Sequence, residues 1–384
     1  MIPRLANKDI CTGCSACHDA CEFGCIEMVF NNEGFRIPII DEKCCVDCKR
    51  CQQVCPAINE SPRNIVKKLF AAWQKDESKL LQSTSGGVFR ALAETVISDG
   101  GVVFGATFDE NLRLFHSRAD NVENLLPMLG SKYLQSDTGG IFKSTIDALR
   151  KGKKVLFSGT PCQIDALYRY MSLNRQNTED LVSSEIMCHG VCSPKLFYDY
   201  VDYLSRKNRS KIAKYNFRSK ANGWRNMTVS VTYSNGKTRT YRNRYCPYHA
   251  WFGQHLSLRQ SCFTCKYRSV ERVGDITLGD FWSIDKVVPD LNSKKGISAV
   301  FINTEKGMAL FNESKDKLNV IEIESSRVEQ LFDVPIRRNA VKPSALRENF
   351  FKDYNYISIQ ELIEKYPPAT FWSICTEKLR SMIK

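Results

Sequence analysis

The chain has 384 residues, too many for one small domain and enough for a compact metal-binding unit joined to a larger core. Its formal charge of +13 comes from dispersed Lys and Arg, since even Arg206, Lys207 and Arg209 are interrupted by Asn208, and this argues against a nucleic-acid partner. No stretch approaches the roughly 20 apolar residues of a membrane span, and MIPRLANKDI lacks the apolar core of a secretory signal. Seventeen cysteines therefore point to cytoplasmic metal and redox chemistry.

Residues 1–60 carry the strongest pattern. Cys11, Cys14, Cys17 and Cys21 follow C-x2-C-x2-C-x3-C, and Cys45, Cys48, Cys51 and Cys55 repeat it 34 residues later. Such spacing lets one loop present several thiolates to a cubane, and in a two-cluster ferredoxin the fourth cysteine of each run serves the other cluster. The expected sets are Cys11, Cys14, Cys17 and Cys55 for one [4Fe-4S] cluster, and Cys45, Cys48, Cys51 and Cys21 for the second. Zinc sites favour two pairs across a longer span, and disulfide frameworks need an oxidising compartment. Pro56 follows Cys55, but Glu22 stands where the first run would have its proline. Cys25 and Cys44 fall outside the pattern and are expected as small buried hydrophobes, with Cys44 placed to substitute for Cys45.

Within the polar, Pro62-containing segment Asn59–Lys68, residues 61–68 read as a linker. Strands are then expected at 69–73, 101–108, 154–159, 182–187, 275–281 and 296–303. Helices are expected at Val88–Ser98, Ile141–Leu149, Cys162–Tyr170, Pro194–Leu204 (opened by Ser193) and from about Glu305. Residues 211–245 read as hairpin material turning at Asn235-Gly236. The basic tail 331–384 shows helical patterns at Ile359–Tyr366 and Thr370–Met382. In the second, Phe371, Cys375, Leu379 and Met382 suit a docking helix more than a membrane-surface one. The fold class is α+β: a dicluster ferredoxin fold (1–60) followed by a mixed α/β domain (69–330).

Four constellations stand out in the second domain. Ser83-Thr84-Ser85-Gly86-Gly87 lies between a strand and a helix, where hydroxyls, glycines and a helix N-terminus suit a phosphate. The same loop also suits an ordinary cap. Gly130-Ser131-Lys132-Tyr133, with Gln135 and Ser136, combines a cation, an aromatic face and donors. In VLFSGTPCQ, Pro161 suits the first helical position and Cys162 lies in the first turn, where a helix N-terminus lowers a thiol pKa. Finally, Cys162, Cys188, Cys262 and Cys265 are four candidates for a third [4Fe-4S] cluster. Cys246 and His249 with Cys262 and Cys265 match a zinc site equally well, and a Cys262–Cys265 disulfide is a further reading. No C-x3-C-x2-C loop is completed after Cys21 or Cys188, which excludes radical S-adenosylmethionine chemistry.

STSGGVFRALA, GSKYLQSD, VLFSGTPCQIDAL, CHGVCSPKLF, CFTCKYRSVERVGDITLGDFW and GISAVFINTEKG, in this order behind the cysteine repeat, resemble the coenzyme F420 hydrogenase/dehydrogenase beta-subunit family. The resemblance runs from about Cys11 to Asn312, and Cys192 departs from it where the family often has proline. It implies an FAD-containing, iron–sulfur oxidoreductase whose second domain binds flavin. Ser85, Gly86 and Gly87 would cradle the flavin pyrophosphate. Ser131, Lys132, Tyr133, Thr160, Pro161 and Gln163 would line the isoalloxazine, and Cys162, Cys188, Cys262 and Cys265 would ligate the inner cluster. Clusters carry single electrons and a flavin exchanges either electrons or hydride. The expected partners are thus an external electron donor or acceptor, such as a ferredoxin or a partner oxidoreductase subunit, and a small-molecule hydride substrate such as coenzyme F420. A ferredoxin-linked reductase of another small molecule, or a non-catalytic electron-transfer subunit, is the alternative. Lys132 is the candidate to stabilise charge on the reduced flavin and His189 the candidate proton donor.

Overall fold

The computed structural model describes residues 3, 5–291, 294–332, 336–337 and 340–368. The cysteine repeat is also a repeat of backbone. Gly13 and Asp47 take positive φ (63° and 54°), as do Ser15 and Lys49 (57° and 60°), each pair 34 positions apart. These left-handed residues launch two four-residue helices, Ala16–Asp19 and Arg50–Gln53. Both helices end at a buried small or branched residue, Ala20 or Val54. An antiparallel pair, β1 (Ile26–Phe30) and β2 (Arg36–Ile40), joins the two halves.

Beyond it lies one mixed eight-stranded sheet: β3 (Lys68–Gln74), β4 (Val102–Phe108), β5 (Leu114–Ala119), β6 (Val155–Gly159), β7 (Leu181–Ile186), β11 (Ile276–Asp280), β12 (Ser298–Ile302) and β13 (Leu318–Ile323). The spatial order is β13-β3-β12-β11-β7-β6-β4-β5. Neighbours β4/β6, β6/β7 and β7/β11 are parallel and the remaining pairs antiparallel. The near-continuous apolar runs of β4 and β6 follow from burial on both faces. Val102, Phe104, Val155 and Phe157 meet helices Ile141–Arg150 and Pro161–Leu173. The alternate residues Val103 and Leu156 face helix Val88–Ser98. Cys14, Ala16, Ala20 and Val54 extend the first of these cores, so the N-terminal unit rests on the helices of that face.

A three-stranded sheet of β8 (Ile212–Ser219), β9 (Thr228–Tyr233) and β10 (Thr238–Arg242) shares another core with helices Pro194–Asn208, Arg347–Tyr354 and Ile359–Lys365. Gly236 turns the β9–β10 hairpin at φ 81°, as the Asn-Gly pair requires. Ser193 Oγ caps the helix that starts at Pro194, accepting from the Leu196 N–H.

The expected strands and helices of residues 69–313 are present within a few residues. The β1–β2 pair, β5, β13 and helix Pro247–Gly253 were not anticipated. Segment 61–68 departs from a free linker: Asn64 pairs with Arg272, and β3 already begins at Lys68. Cys25 and Cys44 are not two independent hydrophobes; they pair as a disulfide, with Cα atoms 5.7 Å apart, and Cys44 is exposed. The helix expected at Thr370–Met382 lies outside the described residues.

Candidate functional site

The two N-terminal runs interleave in space. Cys11, Cys14, Cys17 and Cys55 line one open cavity of about 330 Å³, and Cys21, Cys45, Cys48 and Cys51 line another of the same size. Burial, then mutual repulsion, pushes the Cys14 and Cys17 thiols upward. Burial raises Cys51 to about 11. Thiols crowded this way do not ionise without a cationic group among them, which is the environment an iron–sulfur cluster supplies.

A third group assembles from the sheet. Parallel strands place their C-terminal ends on one edge, the usual position of ligand crevices in such sheets. At that edge β3 leads to the Ser83–Gly87 loop, β6 to Thr160 and Cys162, and β7 to Cys188 and His189. The loop carrying Cys262 and Cys265 precedes β11. Burial raises Cys162 above the usual thiol range, Cys188 to about 12 and Cys262 to about 11, with repulsion from the other cysteines of this group adding to each. The depressed Cys162 pKa expected at a helix N-terminus is therefore not found, because burial outweighs the helix dipole. Gly190, at φ 140°, lets the Cys188 loop approach Leu258 and Cys262, where a Cβ would stand 3.3–3.4 Å from both side chains.

Among the described residues no three His, Cys, Asp or Glu side chains are grouped to hold one metal ion. All three sets are open arrangements, suited to a multinuclear cluster more than to a single zinc. Cys246 and His249 stand elsewhere. Cys246 Sγ lies 3.4 Å from the Tyr215 hydroxyl and 3.7 Å from that of Tyr200. The His249 ring packs against Tyr133 and Phe217.

The flavin candidates border this edge. Ser131 N–H donates to Thr84 Oγ1 at 2.8 Å, which joins the 83–87 and 130–136 loops. Both glycines of the first loop serve packing. A Cβ on Gly86 would strike the Ala72 carbonyl and the Ser298 N–H, and one on Gly87 would strike Gln74 and Ser83. The hydroxyls of Ser83 and Ser85 donate to the Lys79 and Ile297 carbonyls. The loop's remaining invitation to an anion is the N-terminus of helix Val88–Ser98, which no side chain caps. Lys132 Nζ donates to the carbonyls of Pro127, Met128 and Leu129 at 2.7–3.1 Å, and burial lowers its pKa to about 7. Thr160 and Gln163 form a capping box behind Pro161, and Gln163 continues through Ser136 Oγ to buried His116. His189 Nε2 lies 3.0 Å from His255 Nε2, and burial, then the charges of Arg268 and His255, lowers its pKa to about 4.

Sequence reasoning missed Arg218, His249 and Arg268. Arg218 donates to the Tyr133 hydroxyl and to Asp280, both at 3.0 Å, while its Nη2 and both His249 ring nitrogens are buried without partners. Orphaned donors beside an aromatic hydroxyl suit an oxygen-rich cofactor. Arginines scattered between strands carry no spacing signal that could have revealed them.

Three thiol sets on a ferredoxin-like unit and a mixed α/β sheet define the class: an iron–sulfur oxidoreductase. Residues 152–333 match the family described as the C terminus of the coenzyme F420 hydrogenase/dehydrogenase beta subunit, and residues 10–58 match the 4Fe-4S dicluster domain. The chain belongs to that beta-subunit family, with a dicluster domain in front. It is 24% identical over 345 residues to a subunit of the F(420)H(2) dehydrogenase of Methanosarcina mazei, covering 84% of this chain and 88% of that protein. It is also 24% identical over 351 residues to the coenzyme F420-dependent sulfite reductase of Methanocaldococcus jannaschii, covering 84% of this chain but only 49% of the relative. A chain from the F420-reducing [NiFe] hydrogenase complex of Methanosarcina barkeri is 20% identical with a TM-score of 0.49, covering 73% of this chain and 92% of that one.

Proposed function

We propose that the chain is an FAD-dependent iron–sulfur oxidoreductase. Cys11, Cys14, Cys17 and Cys55 would hold one [4Fe-4S] cluster, Cys21, Cys45, Cys48 and Cys51 a second, and Cys162, Cys188, Cys262 and Cys265 a third. FAD would lie along the same sheet edge, between the N-terminus of helix Val88–Ser98 and the Tyr133–Arg218–His249 group. When bound, the clusters supply single-electron exchange and the flavin supplies hydride exchange with a small molecule such as coenzyme F420. The observation that carries the reading is the convergence of four cysteines from three loops at that edge.

The chain's own residues prepare the site. Thr160 and Gln163 fix the first turn that presents Cys162. Lys132, bound to three carbonyls, orders the loop that holds Ser131 and Tyr133. Arg218 can bind an anionic or carbonyl oxygen through Nη2 while its Nη1 holds Tyr133 and Asp280. With its pKa near 4, His189 is neutral at physiological pH and would pass a proton through the His255 contact.

A second reading is favoured by the name of the Methanosarcina mazei relative, which is one subunit of a dehydrogenase. The chain would then work beside a partner oxidoreductase subunit and relay electrons without a substrate of its own. Anaerobic purification followed by flavin analysis, before and after incubation with FAD, separates the two. One tightly held FAD per chain is expected; failure to retain any FAD after incubation would overturn the enzyme reading.

A further inference from the structure

Six arginines are buried among the described residues: Arg90, Arg218, Arg259, Arg268, Arg272 and Arg347. Four are neutralised by carboxylates, in the pairs Arg90–Glu94, Arg218–Asp280, Arg272–Glu185 and Arg347–Glu33. Arg259 gives its protons to the carbonyls of Cys11 and Arg36 and to the Gln135 side chain. Arg268 is different. It is 2% exposed, its Nη2 donates to the His189 carbonyl, and its Nε and Nη1 have no partner. A buried guanidinium with two unspent donors and no carboxylate bonded to it is unfavourable unless another negative group stands beside it.

Its position says which group that is. The Arg268 backbone N–H donates to the Cys265 carbonyl at 3.4 Å, while the guanidinium reaches the carbonyl of the residue after Cys188. The side chain therefore ties together the two loops that bring Cys188, Cys262 and Cys265 to the sheet edge. Its charge also pulls the Cys188 and Cys262 thiols toward ionisation, against the larger effect of burial.

We propose that Arg268 is the counter-cation of the inner cysteine set, a positioning residue whose buried charge favours the more reduced, more negative state of the group that set holds. The proposal rests on reading the set as a [4Fe-4S] site. Cluster potentials respond to net charge and to hydrogen bonds at the sulfurs, and a charge in this dry setting is little screened by salt.

The test uses the full chain, purified and reconstituted anaerobically, with Arg268→Gln and Arg268→Lys beside the wild type. Iron per chain and the midpoint potential of each cluster by EPR-monitored titration are the readouts. The Gln variant is expected to keep its iron while the inner one-electron equilibrium shifts at least tenfold toward the oxidised form, about 59 mV. The outer two potentials should stay fixed and the Lys variant should recover most of the shift. An inner potential unchanged in a fully loaded Gln variant overturns the proposal. If the Gln variant loses the inner iron, retention by Lys supports a need for charge, and loss from both variants contradicts it. A wild type holding only about eight irons would instead overturn the inner cluster itself, before any variant is considered.

Discussion

The outer and inner cysteine sets reach similar chemistry by different routes. Between Cys11 and Cys55 one loop design is used twice, with the same left-handed residues at the same offsets, and each copy lends its last cysteine to the other. The inner four come from the first turn after β6, the end of β7 and the loop before β11, and depend on the whole sheet. A local site can be duplicated and moved as a unit. A site built on strand ends gains buried charges such as Arg268 and proximity to a substrate crevice, and becomes sensitive to the stability of the sheet.

The largest expected effect cuts the two regions apart. Cys262→Ala should remove about four irons and leave the outer eight, while Cys48→Ala should remove about four outer irons and spare the inner set. Colorimetric iron per chain checks both. If Cys262→Ala drained all sites alike, the regions would not be independent.

Next comes the frame of the inner site. Glu185, near the end of β7, is fully buried and accepts from Arg272, Thr277 Oγ1 and the Gly274 N–H. Arg272→Met leaves that carboxylate unpaired and should cost about 3–5 kcal/mol, read as a lower denaturation midpoint with loss of inner iron first. Gly86→Ala drives a methyl into the backbone of β3 and β12 and should cost about 1–3 kcal/mol.

A smaller effect depends on pH. His116 sits behind β6, bonded to the Ser158 carbonyl and Ser136 Oγ, and burial lowers its pKa from 6.5 to about 4. Its folded pKa lies below its unfolded one, so the native state disfavours protonation. The stabilisation is full above pH 6.5 and is lost as pH falls through 4, by at most about 1.4 kcal/mol per pH unit. Urea titrations at pH 7 and 5 should show this dependence in the wild type and a weaker one in His116→Gln.

Smallest is the strap between regions, where Arg347 meets half-buried Glu33 through two hydrogen bonds, one of 2.9 Å. Glu33→Gln should cost about 1 kcal/mol and leave all iron counts unchanged.

The outer sets were legible in sequence because three- and four-residue spacings survive folding unchanged. Their pairing followed from the duplication alone. The central strands were legible because burial on both faces leaves continuous apolar runs. Edge strands β5 and β13 were not, since each keeps polar residues such as Arg118 and Glu322 on its exposed side. The inner cysteines could be nominated from sequence but not separated from Cys246 and His249. Only the fold sets those two against Tyr215, Tyr200 and Tyr133. The phosphate reading of Gly86 and Gly87 illustrates a different limit: a glycine that admits a ligand and one that admits a neighbouring strand have the same sequence signature.

The most direct test of the central claim is the metal content of the anaerobically reconstituted wild-type chain, iron and zinc measured together. Three cysteine sets predict about twelve irons per chain and no stoichiometric zinc. About eight irons with one zinc, retained when Cys246 is intact and lost in Cys246→Ala, would contradict it.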